Sequence, residues 1–349
     1  MKEDIKSISF YQLVSILVRM GYPTFRAEQV FSWLHKKYAI TFDQMLNLPQ
    51  SLRSCLNDQF YISELKSVKR LESIIDGTIK YLYAMPFSET EVVETVLMKY
   101  HYGYSVCISS QIGCKMGCEF CASTKTNFIR NLKASEMLEQ VYETEQDIGQ
   151  PINRIVVMGI GEPLENYDNL LQFIDIISDH YGRSLGKRHI TVSTCGLVDK
   201  IHNLALRQLP IQLSISLHAS NDAVRRKLMP IANQYSIEQL RKECVFYVEQ
   251  TRRQITFEYA MIRDVNDHIE HAYELVSYLK GLLAHVNLIP INPIREREYL
   301  PSSREHMMRF ASILRRNGIP VTIRRQLGQD IHAACGQLRR DSMKYDNIV

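Results

Sequence analysis

Cys114, Cys118 and Cys121 stand in one stretch, QIGCKMGCEFCAST (111 to 124), with a C-x3-C-x2-C spacing that gathers three of the eight cysteines into eight residues. Thiolates this close can converge on one metal centre, and sulfur ligands select zinc, copper(I) or iron-sulfur clusters. A [4Fe-4S] cube used only for electron transfer takes four protein thiolates. No fourth cysteine stands beside these three, so a cube here would keep one iron open to a small molecule. Structural zinc is the competing reading, but it prefers paired C-x2-C knuckles or histidines at knuckle spacing, and there is no second knuckle. A disulfide loop fits least, because nothing at the N-terminus reads as a secretory signal.

The same spacing is the signature of the radical S-adenosylmethionine (SAM) enzymes, and the chain resembles them. The stretches MGIGEPLEN (158 to 166), HITVSTCG (189 to 196), SISLHAS (214 to 220), EYAMIRDVND (258 to 267), HVNLIPINP (285 to 293) and DIHAACGQL (330 to 338) are similar to the RlmN/Cfr family of RNA adenosine methyltransferases. The resemblance implies a [4Fe-4S] cluster on Cys114, Cys118 and Cys121. It also implies SAM held by Gly161 and Glu162 at the methionine amine, by Ser193, Ser216, Leu217 and His218 at ribose and carboxylate, and by Asn292 at the nucleoside. Alone, a Gly-Glu-Pro is often a turn and a histidine such as His218 a satisfied core residue. Their shared placement at strand ends groups them.

The implied reaction is methylation of an adenine carbon, which is electrophilic and cannot itself attack the SAM methyl group. The protein must then supply a methyl carrier, and a thiolate accepts methyl by direct displacement. By resemblance the carrier is Cys335, which forms an S-methylcysteine intermediate, and a second SAM per turnover supplies the 5′-deoxyadenosyl radical that activates it. Glu94 is the implied proton acceptor. Cys107 is the implied resolving thiol, leaving a transient disulfide with Cys335 that outside reductant reopens. Without the resemblance each would pass as bland: free cysteine behaves as a small buried hydrophobe, and most carboxylates solvate a surface.

The implied products are 2-methyladenosine in 23S rRNA, at the peptidyl-transferase centre, and in tRNA, 3′ of the anticodon. The implied electron donor is a flavodoxin or ferredoxin. GEPLEN, EYAMIRDVND and the RRQLGQDIHAACGQL ending favour this RlmN-type reaction over Cfr-type methylation of carbon 8, although both branches share every catalytic residue. A non-catalytic RNA-binding protein with structural zinc is the reading from a different class. Three positions depart from the family pattern: His332 stands for a usual Asp, Cys195 for a usual Ser, and Ala232 for a usual Asn.

At 349 residues, with 45% hydrophobic and 23% charged content, the chain has the composition of a globular protein with a sizeable core and one or two domains. Its longest apolar runs fall far short of the roughly 20 residues that span a bilayer, so a membrane protein is not expected and the cytoplasm is. A monomer is expected. A net charge of +4 says little about nucleic acid, but residues 295 to 340 hold ten arginines against four acids. That tract is either a phosphate-binding surface or a solvated helix face.

The elements that must position these residues can be read from periodicity. Phe10, Leu13, Val14, Leu17 and Val18 fall at helical spacing in residues 8 to 21; FRAEQVFSWLHKKY forms a second amphipathic helix, and residues 41 to 57 a third unit broken at Pro49. The family resemblance implies that this N-terminal module contacts RNA. Between about 64 and 100 the pattern alternates with period two, with Asp76-Gly77 as a hairpin turn. From 103 onward six apolar strands (YSVCIS, RIVVM, HITVS, IQLSISL, QITFEYAM, HVNLIP) alternate with amphipathic helices, which demands parallel pairing. The expected fold is α/β: a partial (βα)6 radical SAM barrel with a small N-terminal helical accessory domain and a β-hairpin extension, IPVTIRRQ (319 to 326) serving as a closing segment. The expected divisions are 1–62 for the accessory domain, 63–99 for a β-rich connector, 100–328 for the barrel and 329–349 for a C-terminal segment carrying Cys335. Chemistry in parallel barrels gathers at the carboxyl ends of the strands, where these motifs fall.

Overall fold

The structure, a computed structural model, describes residues 2–88, 90–125, 127–292, 298–333 and 337. The N-terminal module is three helices: α1 (Phe10–Arg19), α2 (Phe25–His35) and α3 (Gln50–Gln59). Ser9 and Gln12 form a reciprocal capping box at the start of α1. A two-residue parallel ladder, Glu3–Asp4 beside Phe60–Tyr61, ties the two ends of the module together. Leu13, Leu17, Val30, Phe31, Leu34, Leu52 and Leu56 make its buried interior, as the helical spacing requires.

Ten strands form the main sheet among the described residues. An antiparallel run comes first: β1 (Lys66–Glu72), β2 (Ile79–Ala84), β3 (Val92–Tyr100) and β4 (Gly103–Ile108). The turn between β1 and β2 contains Asp76 and Gly77, the latter at φ +69°. Parallel neighbours then follow in chain order: β5 (Ile152–Val157), β6 (Ile190–Thr194), β7 (Gln212–Ser216), β8 (Ile255–Met261), β9 (Ala284–Pro290) and β10 (Val321–Ile323). Each crossover carries a helix: α4 (Ala134–Ile148), α5 (Tyr167–Ser178), α6 (Val198–Leu206), α7 (Asp222–Leu228) with α8 (Ile237–Thr251), α9 (Ile269–Leu279) and α10 (Arg304–Arg316). Apolar runs such as Ile155-Val156-Val157 suit strands covered on both faces.

One feature differs from the sequence reading, and a second matches one of its two alternatives. Residues 321 to 323 form a seventh parallel strand that pairs only with β9, so the sheet stays open at this edge rather than closing. The basic tract also contains a helix, α10, whose Met307, Phe310, Ala311 and Leu314 are buried while Arg304, Arg309, Arg315 and Arg316 face solvent. Among the described residues, no helix is long and apolar enough to cross a membrane.

The module is seated on α4 by buried polar contacts. Lys6 Nζ lies 2.6 Å from Glu139 Oε1, both side chains 1% exposed, and Ser135 Oγ donates to Asp4 Oδ2 at 2.7 Å. His35 Nδ1 meets Tyr142 OH at 3.1 Å, and burial, ahead of the Lys6 charge, depresses its pKa to about 3.

Candidate active site

The loop after β4 is shaped to present its cysteines. Gly113 precedes Cys114 at φ +74°, and a Cβ there would stand 2.2 Å from the Asn127 carbonyl oxygen, so only glycine allows the close approach. Downstream, Thr124 Oγ1 donates to the carbonyls of Cys118 (3.0 Å) and Cys121 (2.9 Å). Glu119 N–H donates to Leu228 O at 2.9 Å, joining the loop to the end of α7. Burial pushes the Cys114 thiol up to about 12 and the Cys118 thiol well above its ordinary value, with the neighbouring thiols adding to the effect. Thiolates here therefore require a cation, which is what a metal centre supplies.

The donor set fits an iron-sulfur cluster better than zinc. Sulfurs on one zinc stand no more than about 4.6 Å apart. Among the described residues, the only trio of potential ligands whose atoms all lie within 4.8 Å of one another is Asp264, Asp267 and His268, not the cysteines. Asp267 is a loop brace: it accepts from Asp264 N–H (2.9 Å) and Ser302 Oγ (2.6 Å).

The three cysteines open into one cavity at the carboxyl ends of β5 to β9, lined also by Gly161, Glu162, Ser193, Ser216, His218 and Asn292. Gly161, at φ +111°, lies so close to Gln111 that a Cβ would meet its side chain at 2.6 Å. Glu162 is 3% exposed and bridges two loops: Oε1 accepts from Leu164 N–H (3.0 Å) and Oε2 from Cys195 N–H (2.7 Å). Burial raises its pKa while those amide bonds pull it back. Side-chain hydrogen bonds from Thr194 and Cys195 further favour the charged carboxylate. Ser193 and Ser216 stand hydroxyl to hydroxyl at 3.3 Å on the paired strands β6 and β7.

His218 sits at φ +56°, its Nδ1 accepting from Ala260 N–H at 3.0 Å, which puts the ring proton on Nε2. Burial, then the Arg225 charge, lowers its pKa to about 3, so the ring is neutral. Leu217 does not line the cavity: its side chain is wholly buried, and its carbonyl accepts from Arg225 Nε at 3.3 Å. Asn292 Oδ1 accepts from Gln326 Nε2 at 3.1 Å and borders both this cavity and a smaller one beneath it.

Glu94 and Cys107 lie outside the cavity lining, side by side on the antiparallel strands. Cys107 pairs with Val96, two residues from Glu94. Glu94 is 1% exposed, with Lys80 Nζ 3.3 Å from its Oε1. Cys107 belongs to a separate apolar cluster with Val96, Met98, Ile160 and Ala333. Cys335 lies outside the described residues, but the segment leading to it is docked. Asp330 accepts from Ser73 Oγ (2.7 Å) and Ile74 N–H (3.0 Å), Asp76 accepts from Gly328 N–H (2.9 Å), and Lys80 Nζ donates to His332 O (3.3 Å). No disulfide joins the described cysteines.

Sequence reasoning overlooked several residues. Glu258, held by Ser214 Oγ (2.9 Å) and Asn287 Nδ2 (2.8 Å), lines the cavity, as do Arg324 and Met158. Glu258 is detectable in sequence as a carboxylate inside an apolar strand. Of the departures, Cys195 is a buried brace through its backbone, Ala232 is 2% exposed in a short turn, and exposed His332 sits at φ +50°. Of the basic tract, Arg324 reaches the cavity and the four α10 arginines do not; Arg295, Arg297, Arg339 and Arg340 lie outside the described residues.

Comparison with known proteins gives two family-model matches: a ribosomal RNA large subunit methyltransferase N-terminal domain over residues 4–62, and the radical SAM superfamily over residues 108–276. The chain is 48% identical over 341 residues to a probable dual-specificity RNA methyltransferase RlmN of Lachnospira eligens, covering 98% of this chain and 97% of the relative. A protein of the same description from Alkaliphilus oremlandii is 48% identical over 343 residues, covering 98% and 99%. The crystal structure of a radical SAM methyltransferase from Sphaerobacter thermophilus superposes with a TM-score of 0.91 at 40% identity, covering 97% of this chain and 99% of that one.

Proposed function

Because the chain belongs to the RlmN family of radical SAM RNA methyltransferases, we propose that it forms 2-methyladenosine in 23S rRNA, at the peptidyl-transferase centre, and in tRNA, at the adenosine 3′ of the anticodon. One observation carries the reading: Cys114, Cys118 and Cys121 share a cavity with Gly161, Glu162, Ser193, Ser216, His218 and Asn292 at the carboxyl ends of consecutive parallel strands. The cysteines hold a [4Fe-4S] cluster, and two SAM molecules are used per turnover. Bound there, cluster and SAM supply a methyl group and a 5′-deoxyadenosyl radical to activate it.

The chain's own residues position and finish the reaction. The Glu162 carboxylate receives the methionine ammonium, Ser193 and Ser216 address ribose and carboxylate, and neutral His218 offers Nε2–H without adding charge. Leu217, its backbone held by Glu258 O and Arg225 Nε, fixes the strand end that carries Ser216 and His218, and Asn292 reaches the nucleoside. Cys335 carries the methyl carbon as a thioether. After the carbon-carbon bond forms, the adduct radical gives up one electron, which the oxidised cluster on the three cysteines would accept, and Glu94 takes the ring proton; the Cys107 thiolate then attacks the Cys335 sulfur, forming the S–S bond as the C–S bond breaks, and the released carbon takes up a proton to become the product methyl group. Two electrons from an external reductant reopen that disulfide, and a flavodoxin or ferredoxin would be the source of the electron for a cluster held by Cys114, Cys118 and Cys121. The enzyme acts as a cytoplasmic monomer.

Mass spectrometry of nucleosides from 23S rRNA and tRNA incubated with the loaded enzyme tests the proposal. 2-Methyladenosine in both RNAs is expected. 8-Methyladenosine would replace the proposal with the Cfr-type reaction, and purified protein with zinc but no iron or sulfide would end the enzyme mechanism altogether.

A further inference from the structure

Arg225 is a buried charge that the site's known chemistry leaves unused. It projects from α7, a helix capped by Asn221 Oδ1 on Val224 N–H at 3.0 Å, and its side chain is wholly shielded from solvent. Nη2 donates to Cys195 O at 2.7 Å and Nε to Leu217 O at 3.3 Å, so one side chain braces the loops after β6 and β7. Among the described residues these two backbone carbonyls are its acceptors; Nη1 is buried with none. No described carboxylate pairs with it, although an arginine cannot shed its proton to escape the cost of burial. The Cys118 and Cys195 thiols and the Asp222 carboxylate lie within its electrostatic reach, and its helix ends on the hydrogen bond from Glu119, the residue after Cys118.

A buried guanidinium with a donor left over requires an anion. The anion that this site's chemistry supplies is the cluster: three thiolates on a cube carry net negative charge, and reduction adds one more. We propose that Arg225 is the built-in counter-charge of the cluster, its buried and unpartnered Nη1 donor stabilising the reduced state. Arg225 is thus a positioning residue for the electron, raising the potential at which the cluster accepts it from a low-potential one-electron donor. The inference rests on the cluster assignment above; protein that binds no iron and sulfide would overturn that assignment first and be recognised as such.

The test uses the full chain loaded with cluster, without SAM, titrated with dithionite and followed by EPR alongside iron and sulfide content. R225Q removes the charge and should lower the ratio of reduced to oxidised cluster at a fixed applied potential about tenfold, equivalent to about 59 mV for one electron. R225K keeps a cation and should stay within about threefold of the wild type. A fully loaded R225Q protein with wild-type potential overturns the proposal, because a merely structural brace would change cluster content or stability and leave the potential alone. Should R225Q fail to fold, a loaded R225K protein shifted tenfold or more overturns it equally. The wild-type protein gives an independent reading: with 15N-arginine incorporated, pulsed EPR of the reduced cluster should detect a 15N coupling, and its absence refutes the contact whatever the variants do.

Discussion

Replacing Asp330 with alanine should loosen the segment that leads to Cys335 by an amount the structure lets one work out. The carboxylate accepts two hydrogen bonds from the β1–β2 turn, from Ser73 Oγ at 2.7 Å and Ile74 N–H at 3.0 Å. At an exposed site each contributes about 1 kcal/mol net. Loss of both, about 2 kcal/mol, is about a 30-fold weaker docking equilibrium. The segment will not fall away entirely, because Asp76 still holds Gly328 N–H, Lys80 still holds His332 O, and Ala333 still packs on Cys107. Hydrogen exchange reads this equilibrium directly. Protection of the Gly328 and Ala333 amides, which donate to Asp76 Oδ2 and to Gly328 O, should fall about 30-fold, while the amides of β6 stay unchanged. Cys107–Cys335 disulfide formation under mild oxidation should slow in parallel. Exchange within about threefold of the wild type would show that the turn is not what holds the segment.

The remaining predictions concern the thiols and acid stability. Cys118→Ala should abolish both iron retention and SAM cleavage, since a three-thiolate site has no spare ligand; wild-type iron content by metal analysis would contradict it. Cys335→Ala should keep its cluster yet methylate no RNA, whereas Cys107→Ala should copurify with covalently attached RNA, seen as denaturation-resistant nucleic-acid absorbance that nuclease shrinks. Multiple turnovers by Cys107→Ala without an adduct would remove its role. His35 and His218 have folded pKa values of about 3 against about 6.5 unfolded, so the unfolded chain binds the extra protons between those values and stability falls as pH drops through that window. From pH 6.5 to 5 each costs about 2 kcal/mol. His35→Asn should reduce the loss of stability between pH 6.5 and 5 by about 2 kcal/mol in urea titrations, and an undiminished slope would disprove its contribution.

The barrel was legible because its signals are local. Each apolar run and each amphipathic stretch between 103 and 290 became the strand or helix its period demanded, and the strand-end motifs converged because consecutive parallel strands leave their carboxyl ends together. What stayed hidden depends on tertiary contact. Arg225, in DAVRRKL, reads as one charge on a solvated helix, yet the helix turns it inward while Arg226 beside it faces out. Lys80 looks like an ordinary polar position on an alternating strand, but the fold sets it between Glu94 and the His332 carbonyl. α10 was legible only as one of two alternatives for the basic tract, since a charge count ignores the Met307, Phe310, Ala311 and Leu314 stripe that makes it a packed helix. Leu217 was grouped with site residues by its neighbours in sequence; its side chain points into the core because adjacent residues at a strand end face opposite ways.

The open edge of the sheet follows from the same logic as the methyl carrier. A closed barrel fills its interior with side chains from its own strands and leaves no room for a further piece of chain. Here β10 is a three-residue strand paired on one side only, and Leu327, Ile331 and Ala333 pack with Val96 and Met98 of β3, Cys107 of β4 and Ile160 of the loop after β5. Those contacts bring the last described turn of chain within two residues of Cys335, a span of no more than about 7 Å. The proposed methyl carrier, a thiol that would receive a methyl group near the cluster and then meet Glu94 and Cys107, would need a segment that is held yet replaceable. Hydrogen bonds to an exposed hairpin turn provide such a hold, and a strand built into the sheet would not.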